Sequence, residues 1–303
     1  MNLWRYFWHF ALFSLTPLLA HGALIYAPAH LEVGRAKIIV VIHGCLQSAE
    51  SMALGTGWNR LADLHHLVII YPQVPEGSNP VDCWSWYLPE NQRGDTGQLK
   101  TIMDEIQRVR ELHKVPSAPV YLAGISSGAA TVAGLAACFP DRIKAIAVHS
   151  GPSYGLAQSL EEGQRVLTSG PPSNPAAKAP CRAGDFKGDV FVIHGSQDTV
   201  VNPSHAQRVI RDFTGLSRAT RTREILDGGL STSVSDFRST TRGRGRLVMV
   251  RGLGHAWSGS IRNLRLPLVL NSRGQIPTKI PFFEEAGPSA THMMWEFFLE
   301  GYP

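Results

Sequence analysis

The sequence predicts an α/β fold, a mostly parallel sheet with helices on both faces. Two observations carry that prediction. Short β-branched and apolar runs recur at residues 38–42, 67–71, 120–123, 143–148, 190–193 and 247–250. Segments of helical period separate them, and an alternation of this kind calls for crossover connections between parallel neighbours.

The elements follow in order along the chain. A helix is expected over 48–63, between the first two strands. Residues 98–113 read as an amphipathic helix with Leu99, Ile102, Ile106, Val109 and Leu112 on one face. Small residues at 129–137 make a further helix behind the third strand, and 204–213 and 289–299 read as two more. Residues 152–187 are rich in Gly, Pro and Ser and read as an irregular cap or surface excursion. Residues 227–245 read as a long loop or hairpin.

The sharpest chemical signal is Gly124-Ile125-Ser126-Ser127-Gly128, set between a strand and a helix. A strand, a Gly-x-Ser-x-Gly turn and a helix form a nucleophile elbow, the hallmark turn of α/β-hydrolases. Ser126 would then be exposed on a cramped turn at a helix N-terminus, where backbone N–H groups and the helix dipole favour developing negative charge. The partners of such a serine follow in the order acid, then histidine. Asp198 lies just past the strand at 190–193 and is the candidate acid. His255, in Gly252-Leu253-Gly254-His255-Ala256-Trp257-Ser258-Gly259 after the strand at 247–250, is the candidate base. His205 and His292 fall in expected helices, and His43 precedes the serine, the wrong order for a base. The oxyanion donors are expected to be the backbone N–H groups of Ser127 and Cys45, the latter in His43-Gly44-Cys45 after the first strand.

Several motifs accompany these residues in order: His43-Gly44-Cys45-Leu46-Gln47, Gly57-Trp58-Asn59, Tyr71-Pro72-Gln73, Cys83-Trp84-Ser85-Trp86, His194-Gly195-Ser196-Gln197-Asp198 and Gly254-His255-Ala256-Trp257-Ser258-Gly259. Together with the elbow they resemble the polyhydroxybutyrate depolymerase-like esterases, a family with feruloyl and acetylxylan esterase-like members. The resemblance implies a Ser126–His255–Asp198 triad, a Cys45 and Ser127 oxyanion hole, a Cys45–Cys83 disulfide and no cofactor. It also implies an ester or polyester substrate held in an apolar slot at Trp257, with Trp84 and Trp86 as further candidate walls. The chain departs from the family pattern at Ser127, at Ser260 and through 218–246.

Residues 1–22 read as a secretory signal peptide, with Arg5 before an apolar centre and small residues at the end. Residues 23–303 are then one α/β-hydrolase catalytic domain, and the expected destination is outside the cytoplasm, without stable membrane insertion. Four cysteines fit an oxidising compartment; Cys138 and Cys181 either pair or leave Cys138 as a buried thiol. No cysteine or histidine spacing suggests a metal. The formal charge of +5 comes largely from arginines at 218–251, with no nucleic-acid-binding motif beside them. A solvated arginine-rich loop is expected there, and no nucleic-acid partner.

Overall fold

A computed structural model describes residues 22–75, 77–173, 179–260 and 281–300. The expected signal segment therefore lies outside the described residues, Gly22 apart. Nine strands form one sheet in the order β1-β3-β2-β4-β5-β6-β9-β8-β7. Its centre is parallel: β3 (Leu67–Pro72), β2 (Lys37–Ile42), β4 (Val120–Ile125), β5 (Ala145–His149), β6 (Asp189–Gly195) and β9 (Gly245–Val250). Antiparallel strands finish both edges, β1 (Ala23–Tyr26) on β3 and the ribbon β8 (Leu230–Phe237) and β7 (Arg221–Asp227) beyond β9.

The central strands are buried on both faces, which is why they read as continuous apolar runs. Along β2, Ile38, Val40 and Ile42 enter one core and Ile39 and Val41 the other. The first core is closed by α3 (Gly97–Leu112), α4 (Ser127–Cys138) and α6 (Ser204–Thr214). The second is closed by α1 (Ala49–Gly55), α2 (Trp58–His65) and α7 (Ala290–Leu299). The fold class is thus the expected one, with helices on both faces of a mostly parallel sheet. From β2 the chain first builds outward to β3, then returns to place β4 on the other side of β2. That reversal makes a crevice at the carboxyl ends of β2 and β4, where open α/β sheets bind ligands.

Several local readings need correction. The helix at 48–63 is two helices, broken at Thr56 and Gly57. Leu112, placed on the buried face of α3, is 56% exposed because the helix ends there, clear of the sheet. The excursion at 152–187 contains a helix, α5 (Leu160–Ser169), started by Ser159 accepting from the Glu162 N–H. The arginine-rich stretch is not all loop, since Arg221 and Arg223 lie in β7 and Arg246 in β9. Three of its arginines form ion pairs: Arg223 and Arg246 with Asp236, Arg244 with Asp189, and both Arg244 and Arg246 with Glu300.

Candidate active site

Ser126 sits between the end of β4 and the start of α4 with φ 58° and ψ −122°. A positive φ is costly for a residue with a Cβ, and strain of this kind collects at functional turns. The surroundings hold it: Ser126 N–H donates to the His149 carbonyl at 3.0 Å, and its own carbonyl accepts from Ala130 N–H at 3.0 Å. The two elbow glycines are required by contact. A Cβ on Gly124 would stand 2.7 Å from the Gly128 backbone, and one on Gly128 would collide with the carbonyls of Ile42 and His43. The close approach of α4 to β2 and β4 therefore depends on both positions.

Asp198 and His255 meet because their strands are neighbours; β6 and β9 pair with His194 opposite Met249. The loops beyond are laced together by Gln197 N–H to Leu253 O at 3.0 Å and Gly252 N–H to Ser196 Oγ at 3.1 Å. His255 Nδ1 lies 2.7 Å from Asp198 Oδ2. Asp198 Oδ1 accepts from the N–H groups of Val200 and Val201 at 2.9 and 2.8 Å. Burial of this carboxyl opposes its charge, but the hydrogen bonds from His194 and His255 and the positive field of His255 outweigh burial. The group is held well below the usual carboxylate range and stays ionised. Among the described residues no hydrogen bond joins Ser126 Oγ to His255 (such contacts are often loose before substrate arrives).

The loop after β2 approaches Ser126 from the other side. A Cβ on Gly44 would lie 3.1 Å from Ser126 Cβ, so this loop is the immediate neighbour of Ser126. Gln47 fixes it, accepting from Gly44 N–H at 2.9 Å through Oε1 and donating from Nε2 to the Pro281 carbonyl at 3.0 Å. The N–H of Ser127 is in the first turn of α4 and has no intrahelical carbonyl to reach. Cys45 is disulfide-bonded to Cys83, and Leu46 N–H donates to Val81 O at 2.8 Å, so the two loops move as one. Ser127 Oγ stands 3.4 Å from both Cys45 Sγ and Trp84 N, tying the elbow to that pair. Cys138 and Cys181 form a second disulfide.

The tryptophans lie under the site rather than around it. Trp257 has no exposed surface; its ring stacks on His149 at 5.2 Å and its Nε1 donates to Thr291 Oγ1 at 3.1 Å. Trp84 is buried against His43, and Trp86 packs with Tyr87, Ala130 and Ala157. For Trp257 the expected apolar slot is therefore corrected to a packed support, since a substrate cannot touch a ring without accessible surface. His43 is a structural residue: Val74 N–H donates to its Nε2 at 3.3 Å, leaving Nδ1 to donate to Gly44 O at 2.8 Å. Burial keeps His43 neutral by lowering its pKa.

Three participants are not apparent as such in the sequence. His194 is fully buried with Nε2 3.2 Å from Asp198 Oδ2. In the sequence it stands in the motif His194-Gly195-Ser196-Gln197-Asp198, four residues before Asp198, with nothing to show that it touches the carboxylate. His149 is fully buried at the end of β5, and its pKa is pushed down to about 3 by burial, then by His194 and His255. Phe282 meets the His255 ring edge-to-face at 5.5 Å, from a segment with no motif of its own. Among the described residues no group of three His, Cys, Asp or Glu side chains could hold a metal.

Comparison with known proteins gives a consistent picture. Residues 21–227 match the family model described as "Esterase PHB depolymerase". Poly(3-hydroxyalkanoate) depolymerase C of Paucimonas lemoignei is 27% identical over 63% of this chain and 48% of its own length. Feruloyl esterase B of Thermothelomyces thermophilus is 28% identical over 66% of this chain and 72% of its own length. The chain thus spans about half of the depolymerase and most of the feruloyl esterase. The solved acetyl xylan esterase from Aspergillus awamori superposes with a TM-score of 0.63 at 19% identity, covering 77% of this chain and 88% of that one, a likeness of fold.

Proposed function

The chain belongs to the Esterase PHB depolymerase family, and on that premise we propose that it is a secreted serine esterase that hydrolyses polyhydroxybutyrate-type polyester or its oligomers. The observation that supports this most is the 2.7 Å contact of His255 Nδ1 with Asp198 Oδ2, set beside a serine of positive φ at the crevice between β2 and β4. In this reading Asp198 fixes the imidazole with Nε2 free, and His255 takes the proton of Ser126 as its oxygen attacks the ester carbonyl. The N–H groups of Cys45 and Ser127 receive the oxyanion. His255 then protonates the departing alcohol, an acyl-enzyme remains on Ser126, and a water activated by His255 releases the acid. No cofactor enters these steps. The two disulfides support export, since such bonds persist in oxidising compartments.

A feruloyl or acetylxylan esterase is the second reading. It is supported by the relative named feruloyl esterase B, 28% identical over 66% of this chain. The test is hydrolysis of hydroxybutyrate oligomers, methyl ferulate and acetylxylan, with Ser126→Ala as blank and fluorophosphonate labelling as the active-site probe. Labelling of wild type alone with preference for the oligomers is the expected result. Preference for ferulate or acetylxylan selects the second reading. Hydrolysis retained by Ser126→Ala would sink the triad. A labelled protein inactive on all three esters would turn attention to peptide substrates, and an unlabelled, inactive one to a binding role.

A further inference from the structure

The strap at 281–286 closes the site from above. Trp257 N–H donates to Phe282 O at 2.8 Å, Glu284 N–H to Trp257 O at 3.0 Å and Gly259 N–H to Ala286 O at 3.2 Å, which binds the strap to the loop that carries His255. At its other end Pro281 O accepts from Gln47 Nε2, so the same strap is fastened to the loop beside Ser126. Gly44, Gln47, Pro281, Phe282 and His255 therefore form a chain of contacts that runs from the immediate neighbour of Ser126 to the ring of His255. Phe283 packs onto α1 at Gly55, which has no side chain to obstruct the ring. Phe282, its neighbour, takes the other direction and sets its ring against the imidazole of His255 at 5.5 Å and 76°.

Phe282 holds this place at φ 62°, a conformation that a bulky aromatic residue rarely adopts. Strain maintained by clamps on both sides at the mouth of a site marks a functional constraint. Phe282 as a whole is only partly buried.

We propose that Phe282 is a specificity-determining residue that walls the leaving-alcohol side of the site and selects esters whose alcohol moiety is apolar next to the scissile oxygen. This rests on the serine esterase reading. In that chemistry the base hands its proton to the departing alcohol, so the alcohol must lie against His255. A ring packed on the base is the surface that the alcohol meets. An apolar wall favours a hydroxyalkanoate end over a carbohydrate hydroxyl, because a polar alcohol would lose water there without gaining a hydrogen-bond partner.

The experiment holds the acyl group constant and varies the alcohol. The ratio of kcat/KM for butyl butyrate over its ether-containing counterpart of equal length, 2-methoxyethyl butyrate, is measured in wild type, Phe282→Gly and Phe282→Asn. Gly and Asn suit a positive φ, so both variants are expected to fold, which a thermal melt checks. The expected result is a fall of about tenfold in the ratio in both variants, the size of one lost apolar contact in a specificity pocket. Preference among methyl acetate, butyrate and hexanoate is expected to hold within about twofold, because the acyl chain lies on the other side of the carbonyl. An unchanged alcohol ratio, or an equal loss on every ester, would overturn the subsite while fluorophosphonate labelling keeps the esterase reading. A wild-type protein with neither label nor turnover would remove that reading and this subsite with it.

Discussion

His194 Nε2 lies 3.2 Å from Asp198 Oδ2, the same oxygen that meets His255 Nδ1. His194 Nε2 also stands 2.9 Å from the Val201 carbonyl, which can only accept, so this nitrogen carries the proton. The acid is consequently steadied by two imidazoles and by the N–H groups of Val200 and Val201. His194 touches no substrate; its role is to position the carboxylate. A Gln at this position places its amide nitrogen where Nε2 stands, and an Asn falls short. His194→Asn is expected to lower kcat about tenfold with KM little changed, far less than the ~10⁴ that follows from losing the acid's orienting role. His194→Gln is expected to restore most of the rate. Equal rates in the two variants, at equal stability, would show that His194 only fills space.

The buried histidines set a pH dependence of stability. His149 in the folded protein has a pKa of about 3 and His205 of about 4, both lowered first by burial. Each group is near 6.5 when unfolded, so between these values the unfolded chain holds more protons. Stability is therefore full above pH 6.5 and falls as the pH drops toward the folded values. Each such proton contributes a slope of about 1.4 kcal/mol per pH unit within that window. Urea unfolding of wild type and His149→Asn from pH 7 to 4 checks this. The variant is expected to lose less stability on acidification, and parallel curves would exclude His149 as a source.

The sheet centre was legible because strands buried on both faces must be apolar throughout, and the elbow because Gly124 and Gly128 are demanded by contact. Of the β7–β8 ribbon only a hairpin after residue 227 was legible, as one of two readings. β7 is largely exposed, so no face selects apolar residues to mark it as a strand. Of the site, the expected acid and base stand together, since both follow from strand ends. Trp257 was misplaced because an aromatic residue in a loop reads alike whether it faces substrate or packs beneath, and only burial separates the two. Phe282 carries no local signal, since its partner His255 is distant in the chain, and His194 stood in the motif that ends at Asp198 without its contact to that carboxylate being apparent.

The two disulfides close chain segments of similar length, with separations of 38 and 43 residues. Chain entropy gives each roughly 3–4 kcal/mol of stabilisation, so stability alone does not tell them apart. Activity does. Cys45–Cys83 carries a proposed oxyanion donor, whereas Cys138–Cys181 joins the far end of α4 to the excursion after β5. Replacing Cys45 and Cys83 by Ser is expected to lower kcat about tenfold or more at a temperature where the protein is folded. The Cys138→Ser, Cys181→Ser pair is expected to lower melting temperature by a similar amount with kcat within about threefold. A like loss of kcat in both pairs would mean that the first bridge acts only through stability.

Two glycines of the site separate close approach from simple loop composition. Gly128 faces the carbonyls of Ile42 and His43, backbone atoms that cannot turn aside. Gly128→Ala must push α4 away from β2, and a cost of about 3 kcal/mol or more is expected, as for severe overpacking. Gly254 stands one residue before His255, yet a Cβ there meets nothing within 4 Å, and its φ is not in the left-handed region. Gly254→Ala is expected to be neutral or to stabilise by a few tenths of a kcal/mol through the unfolded chain. The bend of this loop belongs instead to Gly252, at φ 80°. Chemical unfolding of the three Ala variants distinguishes these roles: Gly128→Ala far below wild type, Gly252→Ala lower by about 1–2 kcal/mol, and Gly254→Ala level with it. A large loss at Gly254 would mean that the loop needs freedom that its resting backbone does not display.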